Sequence, residues 1–228
     1  MKHLISAAAL ALLAACSPPA EPRPEAPAAE TAAPAPSIEG IPAGAYTLDK
    51  SHASLVFRVS HLGFSTYTAE FSDFDAQLQL DPAKPATAAL TATVNPRSLD
   101  IPAPPAGFLR ELLGPQWLNA AAHPRITFQS TRIEVTGANT ARIHGDLTLL
   151  GVTKPIVLDA TYNGGWAGIP QDPHARIGFS ARGSFNRSDF GLSIGVPPPG
   201  STMGVGDSIE VQIETEFSGP PMQAAPAP

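Results

Sequence analysis

From residue 54 onward, apolar residues recur at every second position. Leu55, Phe57 and Val59 alternate with Val56, Arg58 and Ser60, and Phe74, Ala76, Leu78 and Leu80 alternate with Asp75, Gln77 and Gln79. The same period runs through Leu90–Val94, Ile126–Gln129, Ile143–Leu149, Ile156–Tyr162, Ile177–Phe185 and Ile209–Glu214. Successive side chains on a strand point to opposite faces, so a period of two predicts strands with one apolar and one polar face. With Tyr67–Phe71 running on into the second stretch, about eight strands are expected. They would form an antiparallel barrel or sandwich.

One segment breaks the period. Between Pro105 and Asn119, Phe108 and Leu112, then Leu109, Leu113 and Trp117, fall at i, i+4 spacing, which predicts a short helix. Gly114-Pro115 should end or kink it. Such an element would plug the barrel end or serve as a flap over an apolar cavity.

Composition divides the 228 residues unevenly. Twelve of the 26 prolines sit in residues 17–44 and 219–228, leaving a folded unit of about 174 residues at 45–218. The tether at 16–44 and the tail at 219–228 hold too few large apolar residues to offset their ordering entropy. A formal net charge of -6 and only 15% charged residues exclude a basic nucleic-acid-binding surface. The single Cys excludes an internal disulfide and a thiolate metal cage within one chain.

That cysteine has a distinctive setting. Lys2 and His3 precede an apolar run from Leu4 to Ala15, which has the anatomy of an export signal over residues 1–15. Its end, Leu13-Ala14-Ala15-Cys16, resembles the lipobox of bacterial lipoproteins, in which the chain is cut before a cysteine that carries the lipids. The resemblance implies anchoring through Cys16 on the periplasmic face of the envelope. Ser17 favours the outer membrane over the inner.

The folded unit carries a second resemblance. Tyr46-Thr-Leu-Asp49, Ser51-His52 and His61-Leu-Gly63 open it, and His123-Pro-Arg-Ile-Thr-Phe128 and Gly145 through Gly151-Val-Thr-Lys-Pro155 form its middle. Phe185-Asn-Arg187-Ser-Asp189-Phe190-Gly191 and Val205-Gly206-Asp207 complete it. These pieces in this order resemble the YceI-like family across about residues 46–217. The resemblance implies an all-β, eight-stranded antiparallel, lipocalin-like barrel with one short helical flap, holding an amphiphilic lipid, often an isoprenoid.

The residues make their own case for such a cavity. A closed eight-stranded barrel has room either for its own side chains or for one small ligand. Here the inward set mixes phenylalanines with Ala76, Ala92, Gly145, Ala160, Ala181 and Gly183. Large residues opposite small ones could fill the interior, or the small ones could leave a tunnel. The family resemblance favours the tunnel. Its expected lining is Phe57, Val59, Phe71 and Leu78 from the first half, with Trp117 from the flap. Phe128, Leu147, Phe179, Ala181, Phe185 and Val211 supply the second half.

Arg58, His61 and Arg187 are the candidates to meet a polar head group. No hydrolase elbow, phosphate loop or metalloprotease helix is present, and the histidines never fall at short ligand spacing. His52 and His61 are therefore expected to be hydrogen-bonded structural residues, and Arg187 and Asp189 to form a turn with a local ion pair. The function expected is binding or carriage of an amphiphilic lipid, with no cofactor and no metal. An enzyme acting on such a lipid, or a structural envelope protein with a filled barrel, is the alternative, and pairing as a homodimer stays open.

Labelling cells with a radioactive fatty acid should mark the protein, and Cys16→Ser should shift it to the soluble fraction. Mature chain with a free thiol would overturn the anchor.

Overall fold

The computed structural model describes residues 38–222. The alternating segments form strands β1 (Gly44–Leu48), β2 (Ser54–His61), β3 (Ser65–Phe71), β4 (Phe74–Leu80), β5 (Ala89–Val94) and β6 (Leu99–Asp100). After the helix α1 (Phe108–Leu112) come β7 (Ile126–Val135), β8 (Thr140–Leu149), β9 (Val152–Trp166), β10 (His174–Asn186) and β11 (Val205–Pro221). All pairings between these strands are antiparallel.

Eleven segments make an eight-stranded barrel because three of the strands are broken. β1 and β2 are one path bent by the 3-10 turn Lys50–His52, whose start Asp49 caps by accepting the Ser51 amide. β3 and β4 are parted at Ser72-Asp73, and β5 and β6 by the turn Pro96–Ser98, capped by Asn95. The ring runs β4, β5, β7, β8, β9, β10, β11 and back to β4 through β1, which pairs with both β11 and β4. The other halves of the broken strands, β2, β3 and β6, continue the wall from β11.

The wall parts beyond Val94. There β6 pairs with β3, while β7 begins only at Ile126, so the 101–125 segment fills the gap. Phe108, Leu109, Leu112, Leu113 and Leu118 pack on the buried cluster of Ala69, Leu99 and Ile101. The helix expected between Pro105 and Asn119 is thus a single five-residue turn, and the polypeptide after Gly114 folds back on it. The amides of Leu118 and Ala120 donate to the Leu112 and Leu113 carbonyls.

Closure reaches further along the chain at both ends than composition suggests. Ile41 is buried and Tyr46 fully so, with its hydroxyl donating to the Pro42 carbonyl at 2.6 Å. The last residues of the expected tether therefore pack on the barrel through Ile38 and Ile41, and Pro42 offers the acceptor that the buried Tyr46 hydroxyl needs. At the other end β11 runs to Pro221, past the expected boundary at 218, because Pro221 pairs with His174 and the Met222 amide donates to the Pro173 carbonyl. The expected signal peptide, Cys16 and most of the expected tether lie outside the described residues, as does the end of the tail.

Gly219 sits against the Tyr46 ring, so closely that a Cβ there would overlap it. Gly219→Ala should cost about 1–3 kcal/mol by overpacking. In chemical denaturation, Gly219→Ala with Tyr46→Leu should lose less than the sum of the two single changes. A neutral Gly219→Ala would return this residue to a loose tail.

Candidate functional site

The barrel encloses a cavity of about 570 Å³, within the range of roughly 300–1,000 Å³ typical of small-molecule sites. Its volume traces to alanines set in register. Ala141 on β8, Ala160 on β9 and Ala181 on β10 are direct cross-strand neighbours, and the row continues into Ile213 of β11 and Leu55 of β2. Ala76 on β4 pairs with Ala92 on β5. In an eight-membered ring β4 and β5 stand opposite β9 and β10, so alanines face alanines across the interior. All five line the cavity.

Glycines do the reverse. A Cβ at Gly145 would overlap the Phe128 ring, and one at Gly183 would meet Leu158. Those two gaps, expected to widen a tunnel, are filled by their neighbours. The interior is thus part packed and part empty, dividing along the line between glycine and alanine.

Every expected lining residue borders the cavity. Phe57 and Val59 reach it from β2, Phe71 from β3 and Leu78 from β4. Phe128 and Leu147 come from β7 and β8, and Phe179, Ala181 and Phe185 from β10. Val211 projects from β11, and Trp117 from the segment after α1. Aromatic contacts knit this wall: Phe57–Phe71 at 5.5 Å and Tyr162–Phe179 at 5.6 Å between centroids, and Phe185 edge-on to Phe190 at 5.3 Å.

The polar groups at the wall are few: His61, Asn139, Thr140, Tyr162, Arg187 and Thr215. Tyr162 was not expected from sequence; its hydroxyl is buried with no hydrogen-bond partner, and burial raises its pKa. The Tyr46 phenol nearby is pushed up to about 12, mainly by burial. The β7–β8 hairpin, through Val135, Gly137 and Ala138, also borders the cavity. Its signal was weak because these residues straddle a turn.

The head-group candidates separate. Arg58 is exposed on the outer face, opposite Glu210 in the β2–β11 ladder, because Phe57 and Val59 occupy the inward positions on either side. It is no part of the cavity. His61, at the end of β2, borders the cavity and is exposed.

Arg187 borders the cavity and is only 2% exposed. Its Nε donates to the Gly206 carbonyl, and its two terminal nitrogens to Leu192 and Val205, at 2.8–2.9 Å. The guanidinium carbon lies 6.0 Å from the Trp117 ring. Desolvation lowers its pKa, opposed by the Asp207 charge, but a guanidinium stays protonated. The ion pair expected with Asp189 is replaced by these carbonyls. Asp189 is exposed, and the nearby carboxylate, Asp207, accepts from the Ser188 amide and hydroxyl.

A second polar cluster lies at the β1–β2 bend. Ligand atoms of Asp49, His52 and Glu216 fall within 4.8 Å of one another, but the cluster already holds a cation. Arg176 of β10 donates to Asp49 at 2.6 Å and to Asp172 at 2.9 Å. It ties the bend to the opposite end of the sequence as an ion-pair corner.

The chain is most readily placed by comparison at this point. The YceI-like domain pattern matches residues 46–217, the whole barrel but for its outermost residues. The chain belongs to the YceI-like family. It is 36% identical over 169 residues to a UPF0312 protein of Ectopseudomonas mendocina, covering 72% of this chain and 85% of that one. A Shewanella oneidensis UPF0312 protein is 36% identical over 165 residues, covering 71% and 83%.

Among solved structures, BcnA of Burkholderia cenocepacia superposes with a TM-score of 0.62 at 22% identity, over 74% of this chain and 98% of that one. A Campylobacter jejuni YceI protein gives 0.59 at 29%, over 69% and 88%. A polyisoprenoid-binding domain from Saccharophagus degradans, implicated in plant cell wall breakdown, gives 0.58 at 13%, over 77% and 98%.

The corner makes a pH prediction. His52 Nδ1 lies 3.1 Å from Asp49, whose hydrogen bond, then its charge and that of Glu216, raise the imidazole above its usual value. Asp49 is held well below the usual carboxylate range by Ser51, His52 and Arg176. The His52 contribution to stability is therefore complete below about pH 6.5 and lost as pH rises through the raised value. The Asp49 contribution is present above about pH 3.9 and lost as pH falls through the lowered one. NMR titration should give His52 a midpoint above 6.5, falling toward 6.5 in Asp49→Asn; an unchanged midpoint would break the assigned contact.

Proposed function

We propose that the protein binds and carries an amphiphilic molecule with a long apolar chain, of the isoprenoid class, as a lipoprotein anchored through Cys16 on the periplasmic side of the bacterial envelope. The observation that carries this reading is the cavity of about 570 Å³ with an almost wholly apolar wall. The Saccharophagus degradans neighbour, whose fold this chain shares, supports the class of ligand. Removing apolar surface from water supplies the driving force. A chain of about twenty methylene-sized units would gain roughly 16 kcal/mol, against about 4–15 kcal/mol of lost freedom. Only the longer chains would survive purification.

Binding is favoured over catalysis because no Asp, Glu, Lys, Ser or Cys among the described residues lines the cavity. Of the hydroxyls at the wall, Thr140 pairs with Thr136, Thr215 donates to the Phe179 carbonyl and Tyr162 has no partner, so none is hydrogen-bonded to a base. The filled-barrel alternative is disfavoured by the facing alanines. Entry would be through the 101–125 segment, with Arg187 and His61 close to the polar head.

Ala181→Trp tests the cavity. With Ala160 and Ile213 beside it, the indole should occupy free space, leaving the fold intact and displacing lipid seen by native mass spectrometry of detergent-free protein. A parent that carries no lipid, with a variant destabilised by the 1–3 kcal/mol or so of overpacking, would defeat the carrier reading.

A further inference from the structure

Two loops at one end of the barrel expose large apolar side chains. Phe64, in the β2–β3 turn, is 79% exposed; Met203 and Ile194, in the long connection from β10 to β11, are 66% and 41% exposed. The loops are joined. The Leu62 amide donates to the Gly204 carbonyl at 2.8 Å, and the Val205 amide to the Gly195 carbonyl at 2.7 Å. Gly63 lies against Thr202 so closely that a Cβ would crowd it. The three exposed side chains therefore belong to two loops joined into one hydrogen-bonded lobe.

The lobe also lacks charge. Residues 62–69 and 190–206 contain no Asp, Glu, Lys or Arg, in a chain where 15% of residues are charged. The other end also exposes apolar side chains, Val135, Trp166, Ile169 and Met222, but it sets charges among them: Asp81 and Lys84 sit in the β4–β5 loop, Glu134 and Arg142 flank the β7–β8 turn, and Asp172 lies between β9 and β10. Charge is expensive to bring to a hydrocarbon boundary, whereas Ser, Thr and loop carbonyls suit the head-group layer. The lobe is continuous with the cavity, since His61, Leu192 and Val205 beside it form part of the wall.

We propose that this lobe is a membrane-docking face: Phe64, Met203 and Ile194 insert into the outer part of a lipid bilayer, bringing the flap end of the barrel to the surface. This goes beyond the carrier reading and does not depend on Cys16. Three side chains supply at most several hundred Å² of apolar area, below the roughly 1,000 Å² of a stable protein interface, so a bilayer suits them better than a second copy or a protein partner. The net charge of -6 makes insertion, not attraction to anionic lipid, the driving term. The geometry also accommodates an anchor. The barrel is entered at Gly44, at the end opposite the lobe, and the 22 residues from 16 to 37 can span up to about 75 Å when extended.

The test uses the full chain carrying Cys16→Ser, so that one introduced thiol takes an environment-sensitive fluorophore. With neutral phosphatidylcholine vesicles, a label at Met203→Cys should shift to the blue and be quenched by a nitroxide on the lipid chains. A label at Lys84→Cys, exposed in the β4–β5 loop at the opposite end, should do neither. Adding Phe64→Ser should weaken the vesicle partitioning read at Met203→Cys by about tenfold. Both labels staying in water, both shifting alike, or a Met203→Cys shift that rises with protein concentration without vesicles would overturn the proposal, the last in favour of self-association. The readout does not require a loaded cavity, so an empty barrel that still docks would sink the carrier reading and leave this one standing.

Discussion

Everything inside this barrel depends on closing the first strand path onto β11, by a long ladder along β2 and a narrow one at β1. β1 meets β11 through only two paired positions, Thr47 with Ser218 and Leu48 with Phe217, extended by the Asp49 amide on the Glu216 carbonyl. A ladder that short contributes little alone, since each hydrogen bond exchanged with water nets about 1 kcal/mol. What holds it is on either side. Tyr46 is fully buried against Gly219, and Arg176 clamps Asp49 where the first strand bends. Without closure the sheet would have two edges, and its apolar face would have to collapse on itself.

The enclosed space follows from which small residue stands where. A glycine leaves a notch in its own strand that a neighbouring side chain enters, as Phe128 and Leu158 do. An alanine leaves no notch and only withholds bulk from the centre. Five alanines on two facing walls therefore translate into cavity, while Gly145 and Gly183 translate into packing. The buried Arg187 belongs to the same economy of space: its carbonyl bonds fasten the 187–206 connection at the flap end and leave the apolar volume undivided.

Much of this was legible in the sequence. The alternation located the long strands because each has one face in water, and Phe57, Phe128, Ala181 and the other lining positions followed from it. β1 and β6 were less visible, being five and two residues long, and the bend between β1 and β2 depends on an Asp49 cap that resembles any turn. Arg58 was misplaced by its chemistry, although its parity along the strand already put it outside. The distinction between glycine and alanine could not be read, because it depends on cross-strand register. Nor could the carbonyl cage of Arg187, whose partners lie 5 to 19 residues ahead.

The parted wall beyond Val94 has an energetic corollary. A ligand entering an uninterrupted barrel would have to break a run of interstrand hydrogen bonds or squeeze through an end. Here the piece that fills the opening is bonded mainly to itself, through Leu112–Leu118 and Leu113–Ala120, and touches the rest largely by apolar contact. Its displacement as a unit would leave every rung of the barrel intact. Loading would then be a local excursion, separated in free energy from unfolding, and the barrel could be both rigid and permeable to its cargo.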